Sequence, residues 1–266
     1  MNGLSLLTRI KPFAIAVALV GFESLFSAPA MAAENWKGEL SMATGLDFST
    51  GDYGETSDTD IWYTSFITKY ETRRLIFKLT VPYLRITGPG AVVGDTVVSS
   101  DGNQRTETGV GDVIAGTFLN LSSGAGKAPL IDLGVKVKFG TADEDRGLGS
   151  GEEDYSLQLD LADNIGKFTI FGTLGYKWRG EPEEFELEDG AFASLGGGYK
   201  FRRKTNGGLI LDVKEPGSSG QENIVELTAY IGWKLRGNLK LLGYAVTGFS
   251  DTSPDGAIGL QFSYRP

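Results

Sequence analysis

The chain has no cysteine and no histidine. Without cysteine there is no disulfide, no thiol nucleophile and no lipidated N-terminal cysteine. Without histidine there is no neutral imidazole, so histidine-based triads, most zinc sites and haem ligation are excluded. The chain also lacks a long hydrophobic run. Its one compact apolar stretch, residues 12–22, is shorter than the roughly 20 residues a membrane-spanning helix needs, and nothing later comes close. Insertion into a bilayer would have to be by strands.

Strands are what the remaining pattern describes. From Ile131 every second residue is apolar (Ile131, Leu133, Val135, Val137, Phe139), with Asp132, Gly134, Lys136 and Lys138 between them. A period of two puts the two sets on opposite faces of a β-strand. The pattern predicts strands over residues 36–49, 61–71, 74–86, 112–121, 130–140 and 155–162 in the first half. The second half reads as 168–179, 190–201, 208–215, 224–235, 239–249 and 257–265. These are about twelve segments of roughly ten residues, each long enough to cross a bilayer when tilted. The fold class is therefore all-β, a transmembrane up-and-down antiparallel barrel. The 38 glycines suit short turns and close strand packing. A soluble secreted all-β protein is the alternative.

Connections alternate in length. The longer linkers are residues 50–60, 87–111, 141–154, 180–189, 216–223 and 250–256; those between them, 72–73, 122–129, 163–167, 202–207 and 236–238, are mostly short. A barrel with both termini in the periplasm has long loops outside and tight turns inside, whereas a β-sandwich has no reason to sort its loops this way. Residues 87–111, the longest linker, are the candidate for a loop folded into the lumen. Aromatics gather at both strand ends: Trp36, Tyr70, Phe168, Tyr199, Phe201, Trp233 and Tyr264 at one, Trp62, Tyr83, Phe139, Tyr155, Trp178 and Phe249 at the other. Two headgroup-level girdles account for them, although aromatics are also good strand formers.

The N-terminus carries an envelope signal. Arg9 and Lys11 form a positive region, residues 12–22 an apolar one, and Ala30-Met31-Ala32 a small-residue cleavage site. Residues 1–32 read as a secretory signal peptide and 33–266 as the barrel. The chain then belongs in a bacterial outer membrane, among lipid and lipopolysaccharide. Gly259, Phe262 and Tyr264 resemble the C-terminal strand by which the barrel assembly machinery recognises its clients, with Arg265 and Pro266 running past the usual aromatic end.

Several stretches resemble one family. Residues 74–94 (RLIFKLTVPYLRITGPGAVVG), 108–115 (TGVGDVIA), 136–161 (KVKFGTADEDRGLGSGEEDYSLQLDL) and 253–264 are similar to outer-membrane transporter-like proteins grouped under "MetA-pathway of phenol degradation". The resemblance implies a channel-like barrel, with small hydrophobic or aromatic compounds as candidate solutes. It brings no catalytic residues.

Charges in strands are costly against lipid and belong inside. The side chains assigned to the lumen are Glu39, Asp47, Lys69, Lys78, Asp112, Asp132, Lys136, Lys138, Gln158, Asp160, Lys177, Arg179, Asp212, Lys214, Glu226 and Lys234. They either line an aqueous path and bias which solutes pass, or pair across strands and plug a narrow barrel. The formal net charge is -9, and the acids concentrate in the long loops: Asp52, Glu55, Asp58 and Asp60; Asp143, Glu144, Asp145, Glu152, Glu153 and Asp154; Glu181, Glu183, Glu184, Glu186, Glu188 and Asp189. An acidic mouth attracts cations, stays solvated, or shares divalent ions with lipopolysaccharide, and it disfavours nucleic acid.

Three motifs dissolve on inspection. Asp143-Glu144-Asp145 opens like a calcium loop, but Leu148 stands where an EF-hand needs glycine. Gly147-Leu148-Gly149-Ser150-Gly151 lacks the Gly-Lys-Ser/Thr ending of a phosphate loop and reads as flexible-loop glycine. Gly196-Gly197-Gly198 lies inside a strand, where missing side chains relieve crowding or permit a bend. No catalytic residue, cofactor or metal site is assigned. Three functions stay open: a passive channel for small solutes, a closed structural or adhesive barrel, and a barrel enzyme working with carboxylates.

Overall fold

The structure is a computed structural model, and it describes residues 38–53, 57–93, 96–99, 104–124, 128–182, 187–218, 220–253 and 255–266. The proposed signal peptide, Trp36, Glu55, Glu183, Glu184 and Glu186 lie outside the described residues. Strands follow the alternation: β1 (Glu39–Gly51), β2 (Thr59–Glu71), β3 (Leu75–Gly88), β4 (Gly90–Val93), β5 (Thr96–Ser99), β6 (Arg105–Val110), β7 (Val113–Ser123), β8 (Leu130–Phe139), β9 (Asp154–Ile165), β10 (Phe168–Trp178), β11 (Gly190–Arg202), β12 (Thr205–Lys214), β13 (Ile224–Arg236), β14 (Leu239–Gly248) and β15 (Gly256–Tyr264).

All neighbours pair antiparallel, and β1 pairs with both β2 and β15, so the sheet closes on itself. β6 and β7 share one position, both pairing with β3, which makes a closed 12-strand barrel. Closure has a physical cause. An open edge in hydrocarbon would leave backbone N–H and C=O groups unpaired at several kcal/mol each, on the order of a whole domain's stability after a few residues.

Three of the short connections are tighter than the spacing predicts, whereas the expected link 72–73 is one residue longer. Gly166-Lys167, Arg203-Lys204 and Gly237-Asn238 each join two strands as two-residue turns, where linkers of residues 163–167, 202–207 and 236–238 were expected. Gly166 takes φ 68° and Gly237 φ 36°, the left-handed conformation that two-residue hairpin turns favour and glycine adopts without strain. The polar residues flanking each turn continue the ladder, because past the membrane edge a strand no longer needs an apolar face.

Outward positions carry Leu46, Phe66, Leu79, Val135, Leu157, Leu174, Leu195, Leu209, Ile258 and Leu260, all exposed. Aromatics flank them. Tyr70, Phe168, Phe201 and Tyr264 are exposed at the end where β1 begins and β15 finishes, and Trp62, Tyr83, Phe139, Tyr155, Trp178 and Phe249 at the long-loop end. Ring pairs such as Phe48–Trp62 at 4.9 Å and Phe168–Tyr199 at 4.8 Å tie adjacent strands.

The linker 87–111 is not a plain loop. It holds the β4–β5 hairpin and β6, and Ala91, Val92 and Val97 are buried against the wall. β6 escaped the periodicity because its sequence, RTETGV, has no apolar face. Pro82 marks the junction of β6 and β7 along β3. Having no N–H to offer the ladder, it accepts from Gly111 N at 3.0 Å, and the break at residues 111–112 turns Asp112 inward.

Candidate functional site

Two segments fill the lumen near the long-loop end. The β4–β5 hairpin is one. The other is residues 140–153, which fold inward as a plug rather than waving as a flexible glycine loop. Leu148 is 1% exposed and packs with Tyr63, Leu84, Ile86, Val92 and Val97. Val92 N donates to Gly147 O at 2.9 Å, joining plug to hairpin. Gly140 has no room for a side chain, because a Cβ there would lie 1.8 Å from Gly151 O, and Gly147 and Gly151 have φ of 64° and 67°.

Asp112 anchors the plug from the wall. Its Oδ1 accepts from Thr141 N at 3.1 Å and Ala142 N at 3.0 Å, its Oδ2 from Ser150 N at 3.1 Å. Lys138 completes the arrangement, with Nζ 3.1 Å from Asp112 Oδ2, 3.3 Å from Asp154 Oδ1, and bonded to Ser150 Oγ. Asp154 is thus a buried lumen group, a correction to its expected place among solvated loop acids. Arg146 holds the plug's rim to β6, its Nε 2.8 Å from Glu107 Oε2.

Beneath the plug lies a cavity of about 150 Å³. Its lining mixes Pro82, Leu84, Val92, Ile114 and Leu148 with Asp112 on one side and, along β8 to β12, a wall carrying Lys136, Lys138, Asp154, Lys177, Asp212 and Lys214, with Phe192 beside Lys214. Gln158, Asp160, Asp132 and Glu226 are buried in the same wall. Asp132 and Asp160 face each other across β8 and β9, and each is met by neutral donors. Asn120 Nδ2 reaches Asp132 Oδ1 at 2.6 Å, while Thr173 Oγ1 and Gln158 Nε2 reach Asp160 Oδ1 at 2.6 and 2.8 Å. Glu226 is paired with Lys214 at 3.4 Å.

Other predicted lumen residues share the inward parity but not this cavity. Asp47 is buried on the β1 wall opposite Gly259 and Tyr63. Lys78 lines a smaller recess with Lys136 and Phe118. Lys69 pairs with Glu71 at 3.4 Å, and Glu39 pairs with Arg265, both toward the terminal end. Arg179, at the long-loop rim, donates from Nη1 to Glu188 O at 2.5 Å. Lys234 is exposed at the turn end.

Inward-facing apolar residues were missed by sequence reasoning, which reads apolar as lipid-facing. Besides Leu148 and Phe192 they include Phe171, Ile210, Tyr230 and Leu242, which cluster in the lumen. Along β10, Lys177 and Thr173 face the upper cavity, then Phe171 intervenes, and Thr169 faces a second chamber near the turns. Gly196 makes room for the Phe171 ring, as a Cβ there would come within 2.1 Å of it. At the long-loop mouth, Asp255 has its carboxyl pKa raised to about 6 by withdrawal from water, with Asp58 and Asp52 adding like charge.

Among solved structures, the chain is similar to the CymD monoaromatic hydrocarbon channel with a TM-score of 0.50 at 11% identity, over 95% of this chain and 93% of that one. It is also similar to the P. putida toluene transporter TodX (TM-score 0.47, 9% identity, 91% and 94% covered) and to Pseudomonas aeruginosa OccK5 (TM-score 0.41, 10% identity, 86% and 98% covered). At this identity the first likeness speaks to the barrel fold alone. No protein of curated function matches the chain. The family model described as "Putative MetA-pathway of phenol degradation" matches residues 49–265, nearly the whole barrel, and the chain belongs to that family.

Proposed function

We propose that the protein is a passive channel of the bacterial outer membrane for small solutes, with neutral aromatic or other hydrophobic compounds favoured. Its long loops face outward and its termini the periplasm, after removal of residues 1–32. Lipid and lipopolysaccharide surround it, and the barrel assembly machinery inserts it. The predicted lumen side chains, from Glu39 and Asp47 through Lys177 to Lys234, line its path. We assign it no catalytic step.

The cavity under the plug is the observation that carries this reading. Its volume of about 150 Å³ equals that of an apolar protein cavity known to take up benzene. Its apolar side chains suit a ring, and the polar ones among them offer hydrogen bonds to a hydroxyl. CymD is named as a monoaromatic hydrocarbon channel, which agrees in class. The ion pairs around Lys138 and the buried Leu148 favour a second reading, a closed structural barrel. Planar bilayers separate the two. Stepwise conductance that turns toward cation selectivity in Lys136→Glu supports the channel, and its absence from folded protein, with the plug intact or deleted, supports the closed barrel.

A further inference from the structure

The second chamber differs from the first in sign. Its volume is about 230 Å³, and it opens at the turn end of the barrel. Lys200, Arg202, Arg203, Lys204, Lys234 and Lys240 line it, and no carboxylate does. Lys200, Arg202, Arg203, Lys204 and Lys234 have no ion pair among the described residues. The contrast with the upper cavity is direct, since Lys138 there is shared by two aspartates and Lys214 is paired with Glu226.

Parity turns three of these cations, Lys200, Lys234 and Lys240, toward the lumen rather than the lipid headgroups. Lys200 lies between Tyr199 and the exposed Phe201, whose rings meet on the outer face, and so points inward, whereas Arg202 follows a bulge in β11 and reaches the chamber from its rim. On β13 the buried Tyr230 sets the same inward parity as Lys234, and on β14 Leu242 sets that of Lys240. The roof of the chamber is aromatic. Phe171 and Tyr230, both buried, separate it from the upper cavity. Gly198 leaves space beside them, because a Cβ there would lie 2.6 Å from Tyr230 Oη.

Like charges held close repel unless an anion joins them, and a concave wall lined by one sign concentrates counter-ions. Arg202 is suited to grip a carboxylate with two parallel hydrogen bonds, while Lys234 and Lys200 act as point charges. We propose that this chamber is a binding site for small organic anions, with a carboxylate held by Arg202, Lys234 and Lys200 and an apolar or aromatic body against Phe171 and Tyr230. The site makes the turn end of the lumen anion-selective, beneath a cavity suited to neutral solutes. The channel reading enters only in how the solute arrives; binding itself needs no conduction.

Benzoate and its neutral counterpart benzyl alcohol are the probes. Their binding to the folded barrel is measured in detergent by calorimetry and ligand-observed NMR, with folding checked by heat-modifiable gel mobility. Benzoate is expected to bind at least tenfold more tightly than benzyl alcohol and to weaken with salt. Arg202→Gln with Lys234→Gln lowers benzoate affinity by about tenfold or more, as removal of two nearby charges requires. Arg85→Gln, at an exposed residue of β3 near the long-loop end that lines neither cavity, leaves it unchanged. Should the first pair fail to fold, Lys200→Gln with Lys240→Gln decides. Equal binding of both probes, or benzoate affinity untouched in a folded pair variant, overturns the proposal. In nanodiscs, benzoate affinity that holds when phosphatidylglycerol replaces phosphatidylcholine supports a lumen site, and loss of affinity to the anionic lipid overturns it. A barrel that binds benzoate but conducts nothing would sink the channel reading and leave this one standing.

Discussion

Lys138 Nζ and Asp112 Oδ2 lie 3.1 Å apart in the lumen wall, both side chains more than nine-tenths buried, and the same lysine reaches Asp154 at 3.3 Å. One cation therefore serves two acids, while Asp112 spends its remaining capacity on the backbone of the plug. Removing the cation takes a shared partner from two buried carboxylates, and breaking a buried pair costs about 3–5 kcal/mol. Release of the plug from Asp112 relieves that cost. Lys138→Met is expected to speed trypsin cleavage after Arg146 in the folded barrel at least tenfold, located by mass spectrometry, while Lys138→Arg holds the native rate. Equal rates for Met and wild type would mean that the apolar seat of Leu148 holds the plug unaided.

The plug can also be forced out without touching a charge. A Cβ on Gly140 would lie 1.8 Å from Gly151 O, a backbone atom that cannot rotate away. Gly140→Ala should keep β8 paired, since the residue lies just past its end, but push residues 141–151 toward solvent. The expected outcome is higher single-channel conductance and faster uptake of a neutral aromatic solute into liposomes, with unchanged thermal stability of the barrel. An unaltered conductance would place the constriction at the layer of Phe171, Ile210, Tyr230 and Leu242 instead.

Much of this was legible in the sequence, and the part that was not has a common cause. Alternation reports which face a residue takes as long as one face meets lipid and the other water. The run from Ile131 to Phe139 obeys that rule, so β8 and its inward Lys136 and Lys138 could be read directly. Inside a filled lumen the rule fails, because Phe171 and Leu148 meet protein on the inner side and look like any apolar residue. The inward hairpin was foreshadowed by the length of residues 87–111, whereas the second inward loop gave only a lone leucine among glycines and acids. The basic chamber left a visible trace, the run KFRRK at residues 200–204. A turn rich in basic residues has many uses, however, and only the fold brings Lys234 and Lys240 beside it.

The outward band makes a quantitative parity test possible. Leu174 is 64% exposed on the outer face in mid-β10, and its neighbour Thr173 points inward to Asp160 at 2.6 Å. Arginine facing mid-membrane lipid costs about 2–4 kcal/mol. Leu174→Arg should lower refolding stability in phospholipid bilayers by that amount, read from urea titrations. Thr173→Arg gains an acid partner and should cost well under half as much. Equal costs would contradict the assignment of faces.

Asp255 supplies a pH dependence. Its carboxyl sits beside Asp52 and Asp58, and its pKa is raised to about 6 from 3.8. The folded loop thus takes up a proton as pH falls through 6, whereas the unfolded loop does so only near 3.8. A raised carboxylate pKa means that the charged form is disfavoured in the fold, so the loop is least stable above pH 6 and gains stability as pH falls toward 4. The next turn is tied to β13 where Val225 N donates to Ser253 Oγ at 2.7 Å, and that amide reports loop opening. Hydrogen-exchange protection of Val225 is expected to rise between pH 7 and pH 5 in the wild type. Asp255→Asn should show the higher protection at both pH values, because a neutral amide removes the repulsion from the start. Protection that falls with acid in the wild type, or that keeps its pH slope in the variant, would show that the acids at this mouth hold the loop together rather than push it apart.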